Sequence, residues 1–290
     1  MAIEMNRGSL ALPGTVSAEI LQKTQQQSAV MQLARQISLP GLGTTIPVIT
    51  GDPEAAWVGE TDKKAVKTGT LTTKVMAPYT LAVIVPFSNQ FKRDASALYA
   101  ELVKRLPLAL GRKFDETVFG AAEVPGNNFD TLKNCTAQEI GTNAYSGLVA
   151  ADADIAAHDG ITNGWVLAPQ GKACLLTAVD GNKRPLFINS VAEGAVPMIL
   201  GAKTLQSKGA YVKDATSGKK DVVGFAGDWT QAVYGTVEGV KITVSDQATL
   251  IDGGNTISLF QQDMFAVRAE IEVGFRCDTS VFNKLIKTGA

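Results

Sequence analysis

Apolar and polar residues alternate with a period of two through residues 265–276. Phe265, Val267, Ala269, Ile271, Val273 and Phe275 take one set of positions, and Arg268, Glu270, Glu272 and Arg276 fall between them. The pattern predicts a strand with one buried and one polar face. At about 3.3 Å per residue it is roughly 40 Å long, well above the usual strand. A strand of that length suits a long, thin slab better than a compact enzyme domain. A second period, of four, links Leu98, Leu102, Leu106, Leu110, Phe114 and Val118. It predicts one long helix over 94–119 with a single apolar stripe. Asp94 is its N-cap and Gly120 its stop. Pro107, in its interior, removes a backbone donor and crowds the carbonyl of Val103, so a kink is expected.

The rest of the chain reads less regularly. Ser17 caps a predicted helix running to about Gln36, with Ile20, Leu21, Met31 and Leu33 as its apolar residues, and Pro40-Gly41 follows as a stop. Residues 1–50 thus form an arm without a core of its own. Residues 51–87 read as a long hairpin. Trp57 and Glu60 lie at its entry, and residues 61–64 and 67–69 make a charged tip. A return strand alternates at Leu71, Thr73, Val75 and Ala77 and resumes after Pro78 through Leu81, Val83 and Val85. The tip has little to bury and is expected to project. Loop or short strands fill 121–145. Helices are expected over 146–158 and 171–179, the second ended by the Asp180-Gly181 turn, with a short buried strand at 164–169 between them. Strands with turns cover 196–208 and 222–244, and 216–220 is an exposed loop.

Composition narrows the function. With 27 basic and 28 acidic residues, the chain lacks the basic excess of a protein that grips nucleic acid. Cys135, Cys174 and Cys277 are far apart, odd in number and without a CxxC pair, which fits reduced thiols made in a cytosol. The start shows no basic-then-apolar signal pattern, and the longest apolar run, residues 81–87, is too short for a bilayer. A soluble protein is expected.

Known chemistry is hard to find. The single histidine, His158, has no nucleophile–acid pairing in view, and no GxSxG elbow occurs. His158 lies near Asp152, Asp154 and Asp159, but Ala157 and Ala156 stand where a calcium loop needs glycine and a ligand. A solvated helix end is the better reading. Gly201-Ala202-Lys203-Thr204 lacks the glycines of a phosphate loop, and Gly41-Leu42-Gly43 does not continue as a dinucleotide motif. Catalytic residues, metal ligands and cofactors are all expected to be absent. Long extended elements, an arm and a projecting hairpin favour self-assembly instead.

Four stretches, in order, resemble the HK97-type major capsid proteins of tailed bacteriophages. They are the arm with Ile37-Ser38-Leu39-Pro40-Gly41 and Thr45-Ile46-Pro47-Val48; the hairpin opening on Ala56-Trp57-Val58-Gly59-Glu60; Val83 to Ser88 followed by the long helix with Arg112, Asp115 and Phe119-Gly120; and Gly227-Asp228-Trp229-Thr230-Gln231-Ala232 with the long strand, Asp278 and Phe282 behind it. The resemblance spans nearly the whole chain. It implies an α+β HK97-like shell fold: an N-terminal arm (1–50), an extended hairpin loop (51–86), a peripheral domain with spine helix and long antiparallel sheet (87–131 and 236–276), and an axial α/β domain (132–235 and 277–290).

The implied function is structural. Pentamers and hexamers would close into an icosahedral shell enclosing viral DNA without sequence-specific binding, in the virion, after assembly in the host cytoplasm. Expected partners are other copies of the chain and separate scaffolding, portal and decoration proteins, with no membrane. Expected assembly contacts are Ile20, Met31 and Leu33 of the arm and Trp57, Glu60, Lys63, Lys64 and Lys67 of the hairpin. The long-helix stripe is assigned to the core of the subunit. The chain departs from the founding member in having no long scaffolding segment before the arm: scaffolding could be a separate protein, a removed segment or unneeded. Lysine–asparagine cross-linking, known in the family, finds no matching asparagine and acid for Lys63, Lys64, Lys67 or Lys74. Two other readings stand beside this one: an encapsulin-type compartment shell, marked by a cargo groove, and a cytosolic enzyme with an unrecognised site.

Overall fold

The computed structural model describes residues 14–49, 71–89, 95–187, 198–214, 220–252 and 254–288. Along the chain run α1 (Gly14–Gln27), α2 (Ala29–Leu33), β1 (Arg35–Ser38), β2 (Thr44–Ile49), β3 (Leu71–Met76), β4 (Tyr79–Ser88) and α3 (Ala95–Val118). Then follow β5 (Thr136–Glu139), α4 (Ala144–Ala157), β6 (Gly164–Leu167), α5 (Pro169–Leu176), β7 (Met198–Ile199), β8 (Ala202–Gln206), β9 (Lys220–Gly227) and β10 (Ala232–Thr236). The chain ends with β11 (Lys241–Ser245), β12 (Thr249–Asp252), β13 (Asn255–Ser258), β14 (Met264–Cys277) and β15 (Phe282–Thr288).

The strands form two main sheets. In the first, β14 is the central strand. It pairs antiparallel with β4 on one side and with β10 and β11 on the other, and β1 joins β10 in parallel. The second runs β5-β15-β9-β6-β8-β7. Hairpins β2–β3 and β12–β13 stand apart as two-stranded ribbons.

The period-two and period-four patterns meet in one core. Phe265, Val267, Ala269 and Ile271 of β14 pack on Leu102, Leu106 and Leu110 of α3, all buried. Helix and sheet thereby make a two-layer slab. Substituting Leu110, 1% exposed, with Ala is expected to cost about 2–5 kcal/mol in urea unfolding of the subunit. A cost near zero would mean the stripe is not the core. The second sheet carries its own core, with Trp165, Leu167 and Leu285 packed against Leu148 and Ile155 of α4 and Leu175 of α5. A third cluster, built on Phe114, Phe119, Phe225, Trp229, Phe275 and Phe282, lies at the seam of the two sheets.

Several expectations shift. α1 begins at Gly14, before Ser17, and the arm helix breaks at Ser28 instead of running to Gln36. The expected boundary at 235/236 falls after a crossing that occurs at Asp228, because β10 pairs with β14 from Ala232↔Cys277 to Thr236↔Val273. In β3 the buried residue is Met76, and Val75 is exposed, so the burial parity is opposite to the expected one. α3 runs on through Pro107 to Val118, and Gly120, with φ 80°, ends it as expected. The Asp94 cap, the hairpin tip and most of the 216–220 loop lie outside the described residues.

Candidate assembly surfaces and the joints behind them

The arm is fastened to the spine by one buried carboxylate. Asp115 of α3 is fully buried and accepts four hydrogen bonds. Ser28 Oγ donates at 2.6 Å and Ser207 Oγ at 2.6 Å. The backbone N–H groups of Ala29 and Val30 donate at 3.0 and 3.3 Å. Ser28 in turn caps α2, its Oγ accepting from Met31 N–H at 3.1 Å. This is why the arm helix breaks there: the free N–H groups of the new helix end find a carboxylate beneath them. Asp115 so ties the arm, the spine helix and the Ser207 turn of the second sheet together. Burial pushes its carboxyl above the ordinary value, against the downward pull of Ser207, Ser28, Ala29 and Val30.

The hairpin is rooted on the end of the long strand. Arg276, expected on the polar face of β14, is buried. Its guanidinium donates to Asp130 Oδ1 at 2.7 Å, to Val75 O at 2.8 Å and 2.5 Å, and to Asn128 Oδ1 at 2.9 Å. Asp130 also accepts from Lys74 Nζ at 3.1 Å and Cys277 N–H at 3.1 Å. Two residues of β3, Lys74 and Val75, are thus clamped to β14 and to the 128–130 loop. Below them Gly235 and Gly274 are cross-strand partners. A Cβ at Gly235 would lie 2.4 Å from Leu39, and one at Gly274 would lie 2.8 Å from Met76. The missing side chains leave a notch, filled by Leu39 and Met76 at the base of the hairpin.

The two crossings between the sheets share one construction. After β9, Asp228 caps a 3₁₀ turn (Trp229–Gln231), accepting from Thr230 N–H and Oγ1 at 3.0 and 2.6 Å. After β14, Asp278 caps a second 3₁₀ turn (Thr279–Val281), accepting from Ser280 N–H and Oγ at 3.0 and 2.8 Å. The turns exchange backbone hydrogen bonds: Asp228 N–H donates to Val281 O at 3.1 Å and Asp278 N–H to Gln231 O at 3.4 Å. Trp229 and Phe282 meet edge to face at 5.1 Å beside them. Gly227 permits this approach, since a Cβ there would overlap the Phe282 ring.

The expected contact residues are placed unevenly. Ile20 is fully buried among Leu102, Leu106 and Leu110, and Met31 is buried at the sheet seam with Leu33 packed against it. Ile20 and Met31 face their own subunit, because the apolar side of the arm is what docks it on the spine, whereas Leu33 stays partly exposed. Trp57, Glu60, Lys63, Lys64 and Lys67 lie outside the described residues. Apolar groups that do reach solvent include Ile251 and Phe260, in and after the β12–β13 hairpin, each about four-fifths exposed. Val179 and Leu186, flanking the 180–185 loop, and Met198 and Leu200, at the β7–β8 turn, are also exposed. Isolation in sequence hid these residues from periodicity.

The described residues hold no cluster of metal-binding side chains. His158 ends α4, its Nδ1 2.8 Å from Asp154 O, as expected of a helix end. All three cysteines are free and buried. Burial pushes the Cys135 thiol up to about 12 and Cys277 well above its ordinary value, so neither is a ready nucleophile. Among the described residues no helix is long and apolar enough to cross a membrane.

The geometry has counterparts. The phage capsid family matches residues 8–279. The probable major capsid protein gp17 of Mycobacterium phage L5 is 31% identical over 289 residues, spanning 92% of this chain and 86% of that protein. The probable major capsid protein gp17 of Mycobacterium phage D29 is 30% identical, spanning 88% and 83%. A solved structure from Gordonia phage Cozz superimposes with a TM-score of 0.70 at 19% identity, covering 91% of this chain and 87% of that one. At that identity the structural likeness speaks for the fold, which is the α+β HK97-like shell fold. Matched through residues 8–279 and 31% identical to a relative along nearly its whole length, the chain belongs to the phage capsid family.

Proposed function

We infer that the chain is a structural major capsid protein whose copies close into an icosahedral phage shell. The observation that carries this is the family match over almost the whole chain, on a subunit built as a slab with a docked arm and a rooted hairpin. Such a subunit works by geometry: many modest interfaces, each insufficient alone, add up to a closed particle. Pentamers and hexamers as the building groups, assembly in the host cytoplasm, and separate scaffolding, portal and decoration proteins belong to the same reading. The near-balance of 27 basic and 28 acidic residues supports a wall that encloses DNA without reading its sequence. The family match favours this reading over a compartment shell or an enzyme.

The hairpin is proposed as a contact between copies, with Trp57, Glu60, Lys63, Lys64 and Lys67 reaching a neighbour. Its clamped root supports this, since a lever transmits force only from a fixed base. Replacing residues 61–68 with a short Gly-Ser turn is expected to leave the unfolding of the isolated subunit unchanged while abolishing closed particles in electron micrographs. Normal particles from that variant would remove the hairpin's role.

A further inference from the structure

Strand β4 is an open edge of the long sheet. It pairs with β14 through ten consecutive residue pairs, and no other strand among the described residues pairs with it. Sheets usually protect such an edge with charge, proline, a bulge, shortness or a covering element. This edge has ten residues, an unbroken register and no charged side chain; its one protecting residue is Pro86, near the C-terminal end, which leaves residues 79–85 open.

The ladder determines which backbone groups face outward. Asn89 N–H donates to Asp263 O at 3.0 Å, continuing the β4–β14 register. Odd-numbered residues of β4 therefore exchange hydrogen bonds with β14, and Thr80, Ala82 and Ile84 point their N–H and C=O groups away from it. Pro86, which has no N–H, falls on the same outward parity, where it costs the ladder nothing.

The side chains tell the same story. Leu81, Val83, Val85 and Phe87 pack toward α3 but stay half-buried, whereas Phe265, Val267, Ala269 and Ile271 of β14 in the same core are fully buried. The core is unclosed along this border. The opposite row, Thr80, Ala82, Ile84 and Pro86, is exposed, with Ile84 at 48%.

We propose that the β4 edge is an intersubunit seam, covered in the particle by an extended segment of a second copy of this chain that adds a strand to the long sheet. The proposal rests on the shell reading above. A second copy fits because β4 follows directly on β3, the return strand of the hairpin proposed to reach neighbours. The edge offers no charge to attract nucleic acid or to steer a charged partner. Backbone bonds would supply the affinity, and the half-buried row would be closed by the incoming side chains.

Amide hydrogen exchange on free subunits and on particles assembled from this chain alone tests it. The amides of Thr80, Ala82 and Ile84 are expected to exchange fast in the subunit and at least about tenfold more slowly in the particle. Those of Leu81, Val83 and Val85 should be protected in both. Fast exchange of the first three in the particle overturns the proposal. Protection already present in the free subunit also overturns it, because the chain would then cover its own edge. Ala82→Pro removes only an outward N–H, and Ile84→Lys places a charge on the exposed row. Both are expected to leave the subunit folded by circular dichroism and to cut the yield of closed particles by about tenfold or more. Normal yields from both variants count against the seam. A wild-type chain that forms no particle, with or without co-expressed scaffold, would overturn the shell reading, and the seam with it.

Discussion

Replacing Arg276 with Met weakens the isolated subunit by about 2–4 kcal/mol in urea unfolding. Stranding the partner of a buried ion pair costs about 3–5 kcal/mol, and Lys74, 3.1 Å from Asp130, remains to offset part of that. Val75 O and Asn128 Oδ1 also lose their donors. The damage should be local. Amides of β3 are expected to lose exchange protection while those of α4 keep theirs, because the clamp joins the hairpin root to β14 and, among the described residues, hydrogen-bonds to no strand of the second sheet. A uniform loss across both sheets would show that Arg276 holds the whole subunit and not the hairpin.

Substituting Asp115 with Ala is the second large effect, expected at about 3–5 kcal/mol. Four buried donors lose their shared acceptor, at about 1–3 kcal/mol for each left unpaired, and removal of a costly buried carboxylate returns part of the sum. Asp115→Asn should cost less, since one oxygen remains. The arm should detach first, read as faster exchange at Ala29 and Val30. The pH dependence has a definite sign. Because the folded-state pKa lies above the ordinary 3.8, the Asp115 contribution is fully present below that ordinary value and is lost as pH rises through the raised one. The stability gap between wild type and Asp115→Ala is therefore expected to narrow from acid to neutral pH. A gap that widens would mean the four hydrogen bonds outweigh burial.

Periodicity revealed the skeleton because the slab repeats the same demand along its length. Every second residue of β14 and every fourth of α3 face one another, so the chain carries a regular signal for both. The joints carry no such signal. Arg276 occupies a polar position of an alternating strand and looks solvated; only the distant Asp130 and Val75, brought beside it by the fold, make it a clamp. Asp115 looks like a surface acid on a helix until Ser28 and Ser207 arrive from other segments. Ile20 and Met31 show the reverse case. Their apolar stripe was visible, but a stripe reads the same whether it docks on its own subunit or on a neighbour, and here it docks at home. The Gly235–Gly274 notch was equally silent, because pairing two glycines requires knowing the register. The resemblance supplied what periodicity could not, namely the order of arm, hairpin, spine and long strand.

The central claim is that copies of this chain close into a shell. Sedimentation of the purified protein, with electron microscopy of each fraction, tests it most directly. Fast-sedimenting polyhedral particles, or rings of five and six subunits, are the expected result, with scaffold co-expressed where the chain alone stays dissociated. A species that remained monomeric at every concentration, with and without scaffold, would contradict the account.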